Sequence, residues 1–356
     1  MKKMKIFATL VAFGFLLTAC GNGTQEASST ASTDTQESTS VVAESTETKG
    51  DQEVVLHRSY AAPHGKNGFA RVVVAMAGDK VVAATIDEFQ YLDASSASGV
   101  PNSDKKLAEG VVEGKVLASK RINNDMYSKM MQEKGKATET IAQGYDKIAE
   151  YAKGKTIAEL EAVAKVDEKK EEKVDSVSGA TLADEKGYLQ AIIDCAKDDT
   201  MADAKASVSS LDNLTLKFAY GAPHGEKSFG DAVVLTDGEK VLAVTIDEFQ
   251  YMAGTGVPNS DEKEKMAKNF ADPEKVLVSK RVNNEAYSKL MADKAKATKS
   301  LAENYAAIQE FCVGKTAAEL EKVVADAPAG KPVDAVTGAT LVDTAGYLQL
   351  VAQTLK

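Results

Sequence analysis

The chain has 356 residues, 44% of them hydrophobic and 27% charged, which is long enough for two globular domains with cores of their own. The formal net charge of −10 argues against binding of this chain to the nucleic-acid backbone, because an acidic surface repels phosphate. None of the three His stands at ligand spacing to a Cys, so no metal site is predicted.

The N-terminus has the pattern of a lipoprotein signal. Residues 1–5 are basic, residues 6–17 are apolar, and small residues precede Cys20. These are the parts of a secretory signal peptide, and the apolar run is too short to span a bilayer. Residues 17–20 (LTAC) resemble the bacterial lipobox, which implies that residues 1–19 are removed and that Cys20 is acylated with two chains, enough to anchor a protein stably. The alternative is an ordinary signal peptide with a coincidental Cys.

A Ser/Thr-rich stretch follows this signal. Residues 21–50 contain 13 Ser or Thr among 30 residues and bury too little apolar area to offset the entropy of ordering. The sequence therefore predicts a disordered tether over residues 20–53.

The remainder is a repeat with a period near 160 residues. Five segments return: 60–65 as 220–225, 85–91 as 245–251, 99–104 as 256–261, 119–124 as 279–284, and 177–181 as 336–340. A period this long indicates two whole domains and not a solenoid. We expect domains at residues 54–198 and 213–356, joined by a linker at residues 199–212 that is rich in Asp, Ser and Ala.

Each copy has the same predicted elements in the same order. Two β-branched runs, at 71–76 and 80–86 in the first copy, flank a Gly-Asp turn and predict a hairpin. Ile141, Tyr145, Ile148 and Tyr151 have the spacing of an amphipathic helix, which Gly154 ends. A capping box then opens a second helix, and a last helix is predicted from about residue 182 to 196. Strands followed by helices make the predicted fold class α+β, with an antiparallel sheet in each copy.

The same heptapeptide pattern stands before the last helix of each copy. Its residues are Asp175, Ser178, Gly179, Ala180 and Thr181 in the first copy, and Asp334, Thr337, Gly338, Ala339 and Thr340 in the second. One interpretation is structural: Thr181 and Thr340, each with an acid three residues on, fit a helix N-cap. The other is implied by a resemblance to a known modification site, in which each Thr carries a covalent group whose phosphate would be stabilised at a helix start.

The pattern resembles the flavinylation site of the FMN-binding domain family, which includes the flavin subunits of sodium-pumping quinone reductase and of the Rnf complex. The resemblance extends over both copies, and the lipobox, tether and two domains together are similar to flavin lipoproteins of Gram-positive extracellular electron transfer. It implies that FMN is joined to Thr181 and Thr340 by phosphoester bonds, installed from FAD by a separate Mg-dependent flavin transferase. Asp175 and Asp334 would then orient the hydroxyl or hold the metal of the transferase.

Other repeated residues have two interpretations each. Four aromatic residues either stack on the flavin or belong to the core: Phe89, Tyr91, Phe249 and Tyr251. Eight donors either bind the phosphate or the flavin pyrimidine edge, or cap the following helix: Lys120, Arg121, Asn123, Asn124, Lys280, Arg281, Asn283 and Asn284. His64 and His224 are either proton donors to a flavin or simply turn residues.

Cys195 and Cys312 do not occupy matching places in the repeat. A disulfide between them is one possibility, and two buried free thiols are the favoured one.

The resemblance implies an electron carrier and not a catalyst with its own substrate pocket, since no catalytic triad or carboxylate pair repeats in both copies. Its intrinsic reductase activity is left open. Electrons would arrive from a type II NADH dehydrogenase through the quinone pool and membrane proteins, and would leave to ferric iron or free flavins outside the cell. Two rival functions are a ligand-binding lipoprotein and a peptide pheromone released from the signal peptide.

Overall fold

The computed structural model describes residues 51–166, 182, 184–202 and 204–356, which lie in one compact unit. The predictions for the signal peptide, Cys20, the tether up to residue 50 and residues 175–181 of the first motif lie outside these residues. The described strands are β1 Gln52–Ala61, β2 Gly68–Ala77, β3 Lys80–Asp93, β4 Lys115–Ser119, β5 Ala204–Val208, β6 Thr215–Gly221, β7 Ser228–Thr236, β8 Val241–Met252 and β9 Val276–Ser279. The described α-helices are α1 Asn124–Gly135, α2 Ile141–Ala152, α3 Ile157–Val166, α4 Glu185–Lys197, α5 Asn284–Ala295, α6 Leu301–Cys312, α7 Ala317–Asp326 and α8 Thr344–Thr354.

The fold is α+β, as the sequence predicts. Two antiparallel sheets have the strand orders β4-β3-β2-β1-β5 and β6-β7-β8-β9. Both predicted hairpins are present, as β2–β3 and β7–β8. Nearly every position in β2 and β7 is buried because each sheet is covered on both faces.

The predicted amphipathic helices are α2 and α6, and both begin in complete capping boxes. Gly154 and Gly314 follow them with a φ of +78°, a conformation that ends a helix at little cost only for glycine. The predicted capping box at Thr316 and Glu319 is also present, at the start of α7. Local sequence signals therefore set these helix boundaries.

Helices α2 and α4 pack on one face of the first sheet, and α6 and α8 pack on one face of the second. Each repeat thus has an apolar core of its own between sheet and helices. Two further clusters lie between the opposite faces of the two sheets and contain residues from both repeats. The repeats are consequently joined through a buried interface as well as through the chain.

Polar contacts cross this interface in pairs that follow the repeat. The hydroxyl of Tyr60 donates to Asp247 over 2.5 Å, and that of Tyr220 donates to Asp87 over 2.7 Å. Burial raises the pKa of both tyrosines, so each hydroxyl keeps its proton for this bond. Arg58 of β1 adds an unmatched ion pair with Asp231 of β7, 2.6 Å long, with both side chains fully buried.

The segment predicted as a linker contains a strand. Residues of β5 alternate buried and exposed, and β5 pairs antiparallel with β1, extending the first sheet. The period-two pattern is present in the sequence, but β5 has a single β-branched residue, Val208, beside Ala and Lys, which have low strand propensity, so composition favoured a linker. Strand β1, which begins at Gln52, was also missed, and the predicted tether overlaps its first two residues.

The two cysteines described are free and buried, as favoured from the sequence. Burial raises the pKa of each thiol to about 12, so neither is a reactive thiolate near neutral pH.

Candidate functional site

The second motif, residues 334–340, lies between α7 and α8 and presents its hydroxyl residues to solvent. Val333 and Val336 are 4% and 2% exposed and fix the segment in the core of the second repeat. Asp334, Thr337 and Thr340 are exposed. The segment is therefore anchored by its apolar residues, while the threonine predicted to carry FMN is accessible to a modifying enzyme.

A turn that requires glycine shapes this segment. The N–H of Ala339 donates to the carbonyl of Val336 over 3.2 Å, and Gly338 has a φ of +96°. Positive φ at the third turn position is the property of a type II turn, and it strongly favours glycine. A Cβ on Gly338 would also lie 3.3 Å from Cβ of Ala307 and 3.4 Å from Nζ of Lys299. The backbone conformation of this turn thus explains why the motif has Gly at position 338.

We expect Gly338→Ala to destabilise the chain by about 1–2 kcal/mol, because alanine is strained at this φ. Urea unfolding measures the change. Gly135→Ala is the matched control: Gly135 lies in α1 with open space around it, and alanine there should leave stability unchanged or raise it by up to about 1 kcal/mol. Equal stability of the two variants would contradict the assigned role of Gly338.

Thr340 is not a helix N-cap. Helix α8 begins at Thr344, four residues after Thr340, and its N-cap residue is Asp343. Instead, the backbone N–H of Thr340 donates to Oδ1 of Asn304 over 2.6 Å, and its hydroxyl donates to the same oxygen over 3.2 Å. The helix-cap interpretation and the expected phosphate site at the first turn of the helix are both wrong for this copy.

The charged side chain of Lys299 lies beside the second motif, where the sequence predicts the start of a helix. Nζ of Lys299 donates to the carbonyl oxygen of Gly338, two residues before Thr340, over 2.5 Å. An ammonium group at this position would attract the phosphate of a group attached to Thr340.

In the first repeat, a cavity of about 310 Å³ lies beside the residues that follow Thr181 in the sequence. It is bounded by Leu182 and Asp184, which follow Thr181, and by side chains of α1 and α4. Its lining is mainly apolar or aromatic, with a few polar groups: Tyr127, Met130, Met131, Ile141, Leu182 and Tyr188 with His64, Lys120, Lys134 and Asp184. Volume and lining are typical of a small-molecule site.

The second repeat has an opening of about 290 Å³ in the corresponding place. His224, Tyr287 and Leu290 line it and occupy the repeat positions of His64, Tyr127 and Met130. Each copy therefore has a recess beside its repeated histidine, His64 or His224.

A His–Asp pair adjoins each recess. Nδ1 of His64 contacts Oδ2 of Asp184, and Nδ1 of His224 lies 2.6 Å from Oδ2 of Asp343. Each histidine side chain is 43% exposed. The pairs join the Pro-His turn to the start of the last helix, and so hold each repeated His against the Asp that stands three residues after the motif threonine in the sequence. The sequence singled out the His residues but not their partners, although both partners recur at the same repeat position.

Lys120 and Lys280 are held in buried ion pairs. Nζ of Lys120 lies 2.6 Å from Oε1 of Glu88, and that of Lys280 lies 3.1 Å from Oε1 of Glu248. For Lys120, burial acts to lower the pKa, but Glu88 and Tyr127 outweigh it and the pKa is raised, so the lysine stays charged. Lys120 lines the cavity, while its charge is already compensated.

The remaining predicted donors make contacts within the protein. Arg121 pairs with Asp146 over 2.8 Å, and Arg281 donates to Gln309 over 3.1 Å. Asn124 and Asn284 accept the N–H groups of Ala142 and Ala302 at the starts of α2 and α6. Asn123 and Asn283 bridge to loop backbone at Ser98 and Thr255. Their positions fit the structural alternative, in which these residues fix the loop and the helix after it.

The aromatic residues considered for flavin stacking are buried between the sheets. Phe89 and Phe249 are 0% exposed, Tyr91 and Tyr251 are 6% and 9% exposed, and all four belong to one cluster. The two tyrosine hydroxyls bond to each other over 2.6 Å. The stacking prediction is corrected here: these rings pack against one another because they face the other repeat, and none lines either recess.

Sequence reasoning missed the acids of the repeated TIDEFQY segment. Asp87 and Asp247 accept the interface tyrosines, while Glu88 and Glu248, on the opposite face of the strands, hold the buried lysines. Burial raises the pKa of Asp87, with Arg71 acting in the opposite direction. Adjacent acids inside a β-branched, aromatic strand were the available signal, since acids are depleted from buried strands unless they have partners.

No family model, curated protein or solved structure matches this chain. In the described part of the chain, no helix is long and apolar enough to cross a membrane.

Proposed function

We propose that the protein is a membrane-anchored electron carrier with two FMN groups, one joined to Thr181 and one to Thr340. The observation that carries the proposal is that Thr340 is an exposed residue, presented by a glycine turn within a motif that occurs once in each repeat. A threonine needed only for folding would be expected to cap α8, and Thr340 does not.

The residues around the motifs are compatible with FMN. The cavity beside Leu182 is mainly apolar, as a flavin ring requires, and its edges carry His64, Asp184 and Lys134 for polar contacts. In the second repeat, Lys299 supplies a positive charge near Thr340. Covalent attachment also removes the need for a glycine-rich phosphate loop, which the sequence lacks.

FMN, when bound, supplies one- and two-electron redox chemistry. Thr181 and Thr340 would be the attachment points, Lys299 would attract a phosphate near Thr340, and Met130 and Met131 of α1 would offer an apolar wall in the recess of the first repeat. His64 and His224, held by Asp184 and Asp343, are placed to hold or deliver a proton at Nε2, since Nδ1 faces the carboxylate.

The proposed partners follow from the resemblance. A flavin transferase loads the chain from FAD, acylated Cys20 anchors it at the extracytoplasmic face, and quinone-linked membrane proteins fed by a type II NADH dehydrogenase reduce it. Ferric iron and free flavins would accept the electrons. The folded repeats, with fixed contacts between their sheets, would hold the two flavins in one body.

The second candidate is a ligand-binding lipoprotein, and the cavity of the first repeat favours it. That function predicts a colourless protein whose threonines are unmodified. A pheromone released from residues 1–19 is compatible with either candidate and would not depend on the described domains.

Loading by a flavin transferase distinguishes the two candidates. Purified protein that has been coexpressed with the transferase should keep flavin fluorescence after denaturation, because the bond is covalent. Thr340→Ala should lose half of this signal and Thr340→Ser should keep it, since serine retains the hydroxyl. A signal that survives in the Thr181→Ala/Thr340→Ala double variant would place the flavin elsewhere, and no signal in the unmutated chain would favour the ligand-binding function.

A further inference from the structure

Asn304 is a buried amide directed at the modified residue proposed above. It lies in α6, is fully buried, and its Oδ1 accepts both the N–H and the hydroxyl of Thr340, over 2.6 and 3.2 Å. Its Nδ2 donates to the carbonyl of Ser300 over 2.8 Å. One side-chain oxygen therefore fixes the backbone and the hydroxyl of Thr340 together.

The support behind Asn304 is rigid. Its neighbours Tyr305 and Ile308 are fully buried in the core of the second repeat, and α6 begins in a complete capping box at Ser300. By contrast, Thr340 itself is exposed. Thr340 is thus held on its inner side by a fixed amide while the residue itself is exposed, the arrangement that an incoming phosphoryl donor needs.

The first repeat lacks this amide. Gly144 occupies the matching position, 160 residues earlier. A Cβ on Gly144 would lie 2.7 Å from the side chain of Leu182, which fills the space instead. Gly144 has no side chain to offer such a bond, so the contact distinguishes the two attachment sites.

We propose that Asn304 is a positioning residue for flavin transfer to Thr340, so that loading of this site, and not of Thr181, depends on it. The inference rests on the proposed function. In the transfer, the bond from Oγ1 of Thr340 to the FMN phosphorus forms, and the pyrophosphate bond of the flavin dinucleotide breaks. AMP leaves with the bonding electrons, and the hydroxyl proton passes to a base of the transferase.

An amide suits both states of the site. Before transfer, Oδ1 accepts the hydroxyl hydrogen; after transfer, the ester oxygen has no hydrogen, and the N–H of Thr340 still donates to Asn304. A carboxylate in this place would accept the same bonds but would repel the phosphate. This charge argument accounts for Asn and not Asp at position 304.

The test follows the rate of FMN uptake by intact mass, with purified transferase and FAD. Thr181→Ala isolates uptake at Thr340, and Thr340→Ala isolates uptake at Thr181. Adding Asn304→Ala should slow uptake at Thr340 about tenfold and leave uptake at Thr181 unchanged. Gln309→Ala is the matched control, because Gln309 is also a buried amide of α6 but bonds to Ile246 and Arg281.

The outcomes separate this inference from the proposed function. Equal uptake rates at Thr340 in the Asn304→Ala and Gln309→Ala variants, or an equal loss at both threonines, would overturn the role of Asn304 alone. No uptake at either threonine of the unmutated chain would overturn the proposed function. Asn304→Ser, whose hydroxyl is too short to reach Thr340, gives the same comparison if the alanine variant does not fold.

Discussion

Replacing Asp231 with alanine is expected to lower the free energy of unfolding by about 3–5 kcal/mol, the largest effect of a single substitution that we predict. Oδ2 of Asp231 lies 2.6 Å from Arg58 and 3.4 Å from Nε of Arg71, and all three side chains are fully buried. Without Asp231, two guanidinium groups would lose the carboxylate that compensates them inside the interface between the repeats.

Denaturant unfolding measures this effect, and a surface pair provides the control. Lys115 and Asp93 form an ion pair of similar length, 2.7 Å, with side chains 35% and 66% exposed. Asp93→Ala should therefore change stability by no more than about 1 kcal/mol. If Asp231→Ala were as mild as Asp93→Ala, the buried interface between the repeats would not exist as described.

A fragment that ends at residue 198 is expected not to fold as a monomer. It would lack β5, which leaves β1 as an unpaired edge strand. It would also expose the face of the first sheet that carries Phe69, Phe89 and Tyr91, which are now buried against the second repeat. Size-exclusion chromatography and urea unfolding of residues 51–198 should show aggregation or the absence of a cooperative transition.

Coexpression of the two repeats as separate chains is the control for breaking the chain between them. Residues 51–212 with residues 213–356, separated in an exposed loop after β5, should form a one-to-one complex, because both sheet faces are then covered. If residues 51–198 alone are monomeric and unfold cooperatively, the repeats are independent domains, as the repeat period by itself suggests.

The elements that could be predicted from sequence are those set by local signals. The hairpins follow from β-branched runs beside turns, and α2 and α6 follow from apolar spacing with a capping box at one end and glycine at the other. The contacts between the repeats could not be predicted in this way. Asp87 and Phe89 share one face of β3, but a strand that is buried on both faces has no polar face to show which side meets a partner.

The candidate site was predicted in its residues more than in its geometry. The motif singled out Thr340, and the structure shows why Gly338 is needed and that Thr340 is an exposed residue. The sequence did not predict Asn304, because it does not repeat: Gly144 stands in its place. The apparent cap pattern of Thr340 was also misleading, since Val336 and Ala339 first form a turn, and the helix starts only after it.

The proposed attachment of flavin to threonine is tested most directly by the intact mass of the mature protein from cells that contain the flavin transferase. The account predicts a mass increased by two FMN groups, with one lost in Thr181→Ala and the other in Thr340→Ala. An unmodified mass from such cells would contradict it.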